Sequence, residues 1–260
     1  MCFKKAVAKP SGFSRIFVFG LMIFSGAGLI NLCTVCAETT DELQGPPVVQ
    51  SHIIGIDPGH QGPNVDMSDL EPLGPGSTEM KAKASTGTQG TFSGLPEYQL
   101  NLDVALKVRD LLEERGYQVV MAREDNDTAI SNKERAQLAN EAGADVCVRI
   151  HANGSEDPSV QGALCLVMSP DNPYAGQLYE ESNRLAESVL AAYCDATGFA
   201  NQGVVTNDTM TGLNWSEIPV MILEMGFMTN EHDDTKMADA AFQDVMAKSI
   251  ADGIDAYFGQ

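Results

Sequence analysis

From His52 onward the chain alternates short, continuously apolar runs with longer amphipathic ones, and this alternation restricts the fold more than any other feature. "HIIGID" (52–57), "YQVVMAR" (117–123), "ADVCVRIHA" (144–152, ending at His151), "GALCLVM" (162–168) and "PVMILEM" (219–225, ending at Glu224) read as strands. Between them, 98–115 repeats Leu100, Val104, Val108, Leu111 and Leu112 at helical spacing, with Gly116 behind it. Ser131 opens a second helix to Ala142, with Glu134 completing a capping box. Residues 178–197 form a third, closed by Gly198, and 234–258 hold one or two more. Strands that are apolar throughout must be covered on both faces. The expectation is therefore a single α/β domain over 51–260: a mostly parallel or mixed central sheet of about six strands, with helices on both faces. In such sheets functional residues gather at the carboxyl ends of the strands.

The start of the chain follows different rules. Lys4, Lys5, Lys9 and Arg15 precede an apolar run from Ile16 to Leu32, and "TVCAETT" places Val35 and Ala37 before a cut after Ala37. This is the plan of a secretory signal peptide over 1–37, followed by a polar, Pro-containing linker over 38–50. An uncleaved N-terminal anchor is the competing reading, because the run approaches the length of a span. Cleavage would leave no other segment able to span a bilayer, and the protein is expected to be secreted or extracytoplasmic and a monomer.

Charge and cysteines narrow the partners. The whole chain carries −20. Four of its 16 basic residues and none of its 36 acidic ones lie before the expected cut, so the mature chain would carry −24. So acidic a surface argues against nucleic acid and anionic membranes as partners. Cys147, Cys165 and Cys194 remain after the cut, an odd number without CxxC spacing, and read as buried free thiols. A Cys147–Cys165 bridge between neighbouring strands is the alternative.

Residues 61–96 break the rhythm. They lack periodicity, are rich in Gly, Pro, Ser and Thr, and are expected to form one long loop, bracketed by His60 and Glu97. His60, Glu97, His151 and Glu224 are the candidate chemistry. Two histidines and a glutamate form a known catalytic zinc set that leaves one position open. Each also has an ordinary role: a turn residue for His60, a strand-end histidine for His151, and a first-turn helix acid for Glu97. Glu224 is harder to dismiss, since a carboxylate after Val220-Met221-Ile222-Leu223 needs a counter-ion or a catalytic reason.

Four stretches, "IIGIDPGHQG", "EYQLNLDVALKVRDLLEERGYQVVMARE", "SNKERAQLANEAGADVCVRIHANGS" and "IPVMILEMGFMTNEHDD", occur in one order and cover most of 53–258. Together they resemble the zinc-dependent N-acetylmuramoyl-L-alanine amidases of the amidase-3 family, in an extended-loop subgroup. The resemblance implies that His60, Glu97 and His151 hold one Zn2+ and that Glu224 is the catalytic acid/base. It implies a peptidoglycan or muropeptide substrate, cut at the amide between N-acetylmuramic acid and L-alanine. A metallo-hydrolase of another amide, or a non-catalytic wall-binding module, are the competing functions.

Several further residues carry expectations. Asp57 and Asn153 either orient the ligands or, for Asp57, cap the Pro-Gly turn. Arg135 ties its helix to a neighbouring strand. Lys81 and Lys83 either meet stem-peptide carboxylates or stay solvated. Arg149 stands where the family usually has a small residue and is expected to pair with a surface acid. Trp215 packs or stacks on substrate. His52 is half-exposed, His232 holds no second metal, and the methionines at 221, 225, 228, 237 and 246 fill the core.

Overall fold

The computed structural model describes residues 52–260. The expected signal peptide (1–37) and the whole of the linker (38–50), with Ser51 behind it, lie outside them. Eight strands and six helices follow in the order β1 (Ile53–Pro58), β2 (Leu70–Pro72), β3 (Met80–Ala82), α1 (Glu97–Glu114), β4 (Gln118–Met121), α2 (Asn132–Glu141), β5 (Val146–Asn153), β6 (Ala163–Val167), α3 (Tyr179–Thr197), β7 (Asn201–Thr206), α4 (Thr211–Asn214), β8 (Val220–Phe227), α5 (Glu231–Met237) and α6 (Ala240–Phe258). Six strands form one sheet in the order β4-β1-β5-β8-β6-β7. The first four are parallel, and β6 joins β8 antiparallel, which makes the sheet mixed, as expected.

Helices α1, α3 and α6 pack together against one face, while α2 and α4 pack together on the other. Side chains alternate along each strand, so the register decides which residues share a face. Arg149 lies beside Ile222 and His151 beside Glu224, so these four side chains project to one side. On the other side, Ile54, Ile56, Val148 and Ile150 meet the apolar stripe of α1, Leu100, Val104 and Val108, all at most 1 % exposed. Each such burial stabilises by about 1.5–3 kcal/mol. The methionines at 221, 225, 228, 237 and 246 are buried in this core.

The capping box of α2 is present, with the Ser131 side chain accepting from the Glu134 N–H and Glu134 reaching back. Gly198 closes α3 in the left-handed conformation. Two expectations need correction. Strand β5 continues past His151 to Asn153, and β8 past Glu224 to Phe227. Residues 61–96 are not wholly irregular, because β2 and β3 form an antiparallel hairpin within them. Cys147 and Cys165 are buried free thiols, as expected; β8 lies between their strands, so the alternative of a bridge between neighbouring strands does not hold. The strand β7 and the single turn α4 were not expected at all.

Candidate active site

The turn after β1 is laced from behind by two buried guanidinium groups. Arg123 donates to the carbonyls of Pro58 (2.9 Å) and Gly59 (2.9 Å). Arg135 donates to Pro58 O (2.7 Å), His60 O (2.8 Å), Asp57 Oδ1 (2.6 Å) and Gln61 Oε1 (2.7 Å). With its carbonyls held this way, the chain passes through His60 at φ 64°, the one left-handed non-glycine among the described residues. That conformation costs about 1–3 kcal/mol and persists only where surroundings impose it. Gly59 is required here for a different reason: a β-carbon on it would lie 2.2 Å from the His151 ring.

This geometry brings three of the sequence candidates to one point. His60 Nε2 stands 3.0 Å from Glu97 Oε1, His151 Nδ1 stands 3.3 Å from the same oxygen, and the two ring nitrogens are 3.2 Å apart. Among the described residues this is the one group of three or more side chains placed to hold a metal ion. Nitrogen and oxygen donors at tetrahedral positions around one zinc ion stand about 3.3–3.6 Å apart. The triangle fits that donor set to within a few tenths of an ångström.

Each corner is held by groups the sequence did not reveal. The Nδ1 of His60 lies 3.1 Å from both the carbonyl and the hydroxyl of Ser85, so its other nitrogen faces the triangle. Glu97 accepts from the Thr88 N–H (2.8 Å), the Ala152 N–H (3.1 Å) and the Asn101 amide (3.3 Å). Asn101 sits one turn on from Glu97 along α1, a spacing that could have been read. Ser85 and Thr88 belong to the long 61–96 segment, which has no pattern that would single them out.

Electrostatics favour the charge states a cation needs. Burial would raise the Glu97 pKa, but hydrogen bonds from His151 and His60 hold it well below the usual carboxylate range. Burial pushes His151 down to about 4, so its imidazole is neutral at neutral pH and has a lone pair to offer. Glu224 goes the other way: burial, reinforced by the charge of Glu97, raises it to about 8. Its Oε2 is sealed from solvent with no hydrogen-bond partner. The rest of the side chain opens onto a cleft of about 290 Å3 that is also lined by His60 and His151.

Other candidates lie elsewhere. Asp57 and Asn153 do not hold the ligands. Asp57 is buried between Arg135 (2.6 Å) and Arg149 (3.1 Å), and the Asn153 side chain accepts from the Gly154 N–H. Arg149 pairs with this buried acid rather than a surface one. Lys81 donates to Thr209 O (2.7 Å), and Lys83 faces Asp69 (3.4 Å). Trp215 packs, donating to Pro72 O (2.9 Å) beneath the ammonium of Lys133. His52 stacks on Phe258, and His232 pairs with Asp233.

Comparison with known proteins agrees with this geometry. The family model for N-acetylmuramoyl-L-alanine amidase (Amidase_3) matches residues 54–256. The chain belongs to the Amidase_3 family. The chain is 29 % identical over 230 residues to the N-acetylmuramoyl-L-alanine amidase LytC of Bacillus subtilis, a match covering 88 % of this chain and 39 % of LytC. The chain thus spans well under half the length of that relative. The N-acetylmuramyl-L-alanine amidase Ami1 of Mycobacterium smegmatis superposes with a TM-score of 0.71 at 27 % identity, over 80 % of this chain and 97 % of Ami1. An N-acetylmuramoyl-L-alanine amidase of Clostridium difficile 630 gives 0.65 at 28 % identity, over 80 % and 97 %.

Proposed function

We propose that this chain is a zinc-dependent peptidoglycan amidase that hydrolyses the amide between N-acetylmuramic acid and L-alanine of the peptide stem. The observation that carries the reading is the triangle of His60 Nε2, Glu97 Oε1 and His151 Nδ1 beside the unpartnered carboxyl of Glu224 in one cleft. His60, Glu97 and His151 would hold the ion, a set of three that leaves a position free. A bound zinc ion supplies Lewis acidity, polarising the scissile carbonyl and making a water easier to deprotonate.

The protein's own part is positioning and proton transfer. Glu224 makes no hydrogen bond to any described residue, so its carboxyl is available to water and substrate. Burial raises its pKa, and a cation held by the triangle would lower it again by offsetting the charge of Glu97, which suits a group that takes a proton from the attacking water and delivers it to the leaving L-alanine amine. The strained turn and the paired guanidiniums behind it place His60 before any metal arrives. The bond-breaking step needs no cation from the enzyme other than the metal.

The apolar run and basic start of residues 1–37 support export through a cleaved signal, with the acidic domain acting as a monomer on wall material. No helix among the described residues is long and apolar enough to cross a membrane. The test is the pair of parent and Glu224→Gln proteins on purified cell walls. The reading expects both to bind stoichiometric zinc and the variant to lose at least about 100-fold in rate. A variant that solubilises walls as fast as the parent removes Glu224 from the chemistry. Absence of bound zinc in the active parent removes the metal.

A further inference from the structure

Arg149 is the one charged side chain of the cleft that the proposed reaction leaves unused. It lies two residues before His151 on β5, on the same face and beside Ile222. Its Nη2 donates to Asn132 Oδ1 at 2.9 Å and its Nε stands 3.1 Å from Asp57 Oδ2. Its Nη1 is buried with no partner. Asp57 is shared with Arg135, so one carboxylate faces two guanidiniums and the cluster keeps a positive charge. A buried N–H without an acceptor is costly to retain unless something satisfies it during function.

The surroundings are shaped around this group. A β-carbon on Gly212 would lie 1.0 Å from Arg149 Nη1, so α4 can pass over the guanidinium only with glycine there. Arg149, Gly212 and Asn132 line the same cleft as His60, His151 and Glu224, and Arg149 is the only lysine or arginine among the lining residues. The Asn132 amide oxygen accepts from Arg149, and its NH2 has no partner among the described residues, which leaves a second donor at the cleft wall. The backbone step from His151 to Arg149 is about 6.6 Å, comparable to two residues of an extended peptide. Lys81 and Lys83 do not reach this place, because both are engaged outside it.

We propose that Arg149, assisted by Asn132, is the subsite that receives a carboxylate of the peptide stem, and that the enzyme therefore selects stems whose carboxylate nearest the scissile amide is free over stems in which it is amidated. This rests on the amidase reading. A planar guanidinium matches a carboxylate and cannot pair in that way with a neutral carboxamide. In a chain of net charge −20, a local cation is also what lets an anionic stem approach.

The test uses two muramyl-peptides that differ only in that carboxylate or carboxamide, with the zinc-loaded full domain. The parent is expected to prefer the carboxylate by about tenfold or more in kcat/KM, mainly through KM. Arg149→Gln and Gly212→Ala, which displaces the guanidinium, should reduce the ratio to within about twofold while retaining turnover of the amidated substrate. Asn132→Ala alters a half-buried side chain and serves if the buried variants fail to fold; it should lower the ratio, chiefly by raising KM for the carboxylate substrate. The free stem peptide should also compete better than its amide against the parent. Equal turnover of the two substrates by the parent overturns the inference and leaves the amidase reading intact. A preference that survives in folded Arg149→Gln, or is unchanged in Asn132→Ala, overturns it as well. Cleavage of neither substrate strikes at the amidase reading itself.

Discussion

At the scale of single residues, the site depends on atoms that have no room to move. Gly87, at φ 76°, passes so close to the triangle that a β-carbon would lie 2.4 Å from Glu97 Oε2 and 2.7 Å from the His60 ring. Gly87→Ala is expected to weaken zinc binding about 10- to 100-fold, as measured by chelator competition, with the fold retained. Glu224 supports a second prediction, for the metal-free protein. Its folded pKa, about 8, lies above the ordinary glutamate value of 4.5, so the folded state holds its proton more tightly. That contribution is fully present below pH 4.5 and is lost as pH rises toward 8. Urea midpoints of the stripped parent should therefore fall relative to Glu224→Gln over that window; parallel curves would contradict the assignment. The four candidates His60, Glu97, His151 and Glu224 were legible because each is a chemically distinctive residue at the edge of a patterned element. Ser85, Thr88 and Arg123 were not. Ser85 and Thr88 act partly through backbone groups, and Arg123 binds carbonyls, neither of which leaves a mark on residue type.

At the scale of elements, the 61–96 segment was the part least legible in the sequence and is tied down more firmly than its composition suggests. Its hairpin strands are three residues each, too short to show a period. The rest is fixed by distant partners. Asp234 of α5, buried, accepts from the Phe92 and Ser93 N–H groups (2.7 and 2.9 Å) and the Ser93 hydroxyl (2.6 Å). Glu71 accepts from the Lys133 N–H at the start of α2, and Asn132 N–H donates to Lys83 O. The segment is thus a wall of the cleft, contributing Ala82, Ala84 and Ser85. Asp234→Ala is expected to destabilise the domain by about 2–4 kcal/mol, because three donors lose one charged acceptor. Limited proteolysis should then cut within 61–96 first. The helices were read nearly to the residue, since long apolar periodicity and caps mark them. The missed pieces leave no period to read: β7 is a largely exposed edge strand, and α4, though buried, is a single turn of four residues.

At the scale of the whole molecule, one buried cluster joins β1 and β5, the strands that lead to His60 and His151, to helix α2. Asp57 on β1, Arg149 on β5 and Arg135 on α2 meet beneath the cleft. Burial would raise the Asp57 carboxyl, but Arg149 and Arg135 lower it to about 2. A carboxyl depressed in the fold stabilises above its unfolded value, and that stabilisation is lost as pH falls from about 4 to about 2. This amounts to about 2 kcal/mol, so the parent should lose stability across that window while Asp57→Asn, already weakened by two unpaired guanidiniums, should show a shallower slope. The mixed sheet and its two helix layers could be read from the alternation of apolar runs. Of the cluster, the tie of Arg135 from its helix to a neighbouring strand could be read and is present; its meeting with Asp57 and Arg149 could not, because the three are far apart in sequence.

The central claim is that the cleft hydrolyses the bond joining the glycan to the peptide. Mass analysis of the products released from purified peptidoglycan by the zinc-loaded protein tests it most directly. The account predicts free stem peptides beginning in L-alanine, together with glycan chains whose muramic acid has lost its peptide. Products in which that junction stays intact, with cuts between amino acids or between sugars, would contradict it.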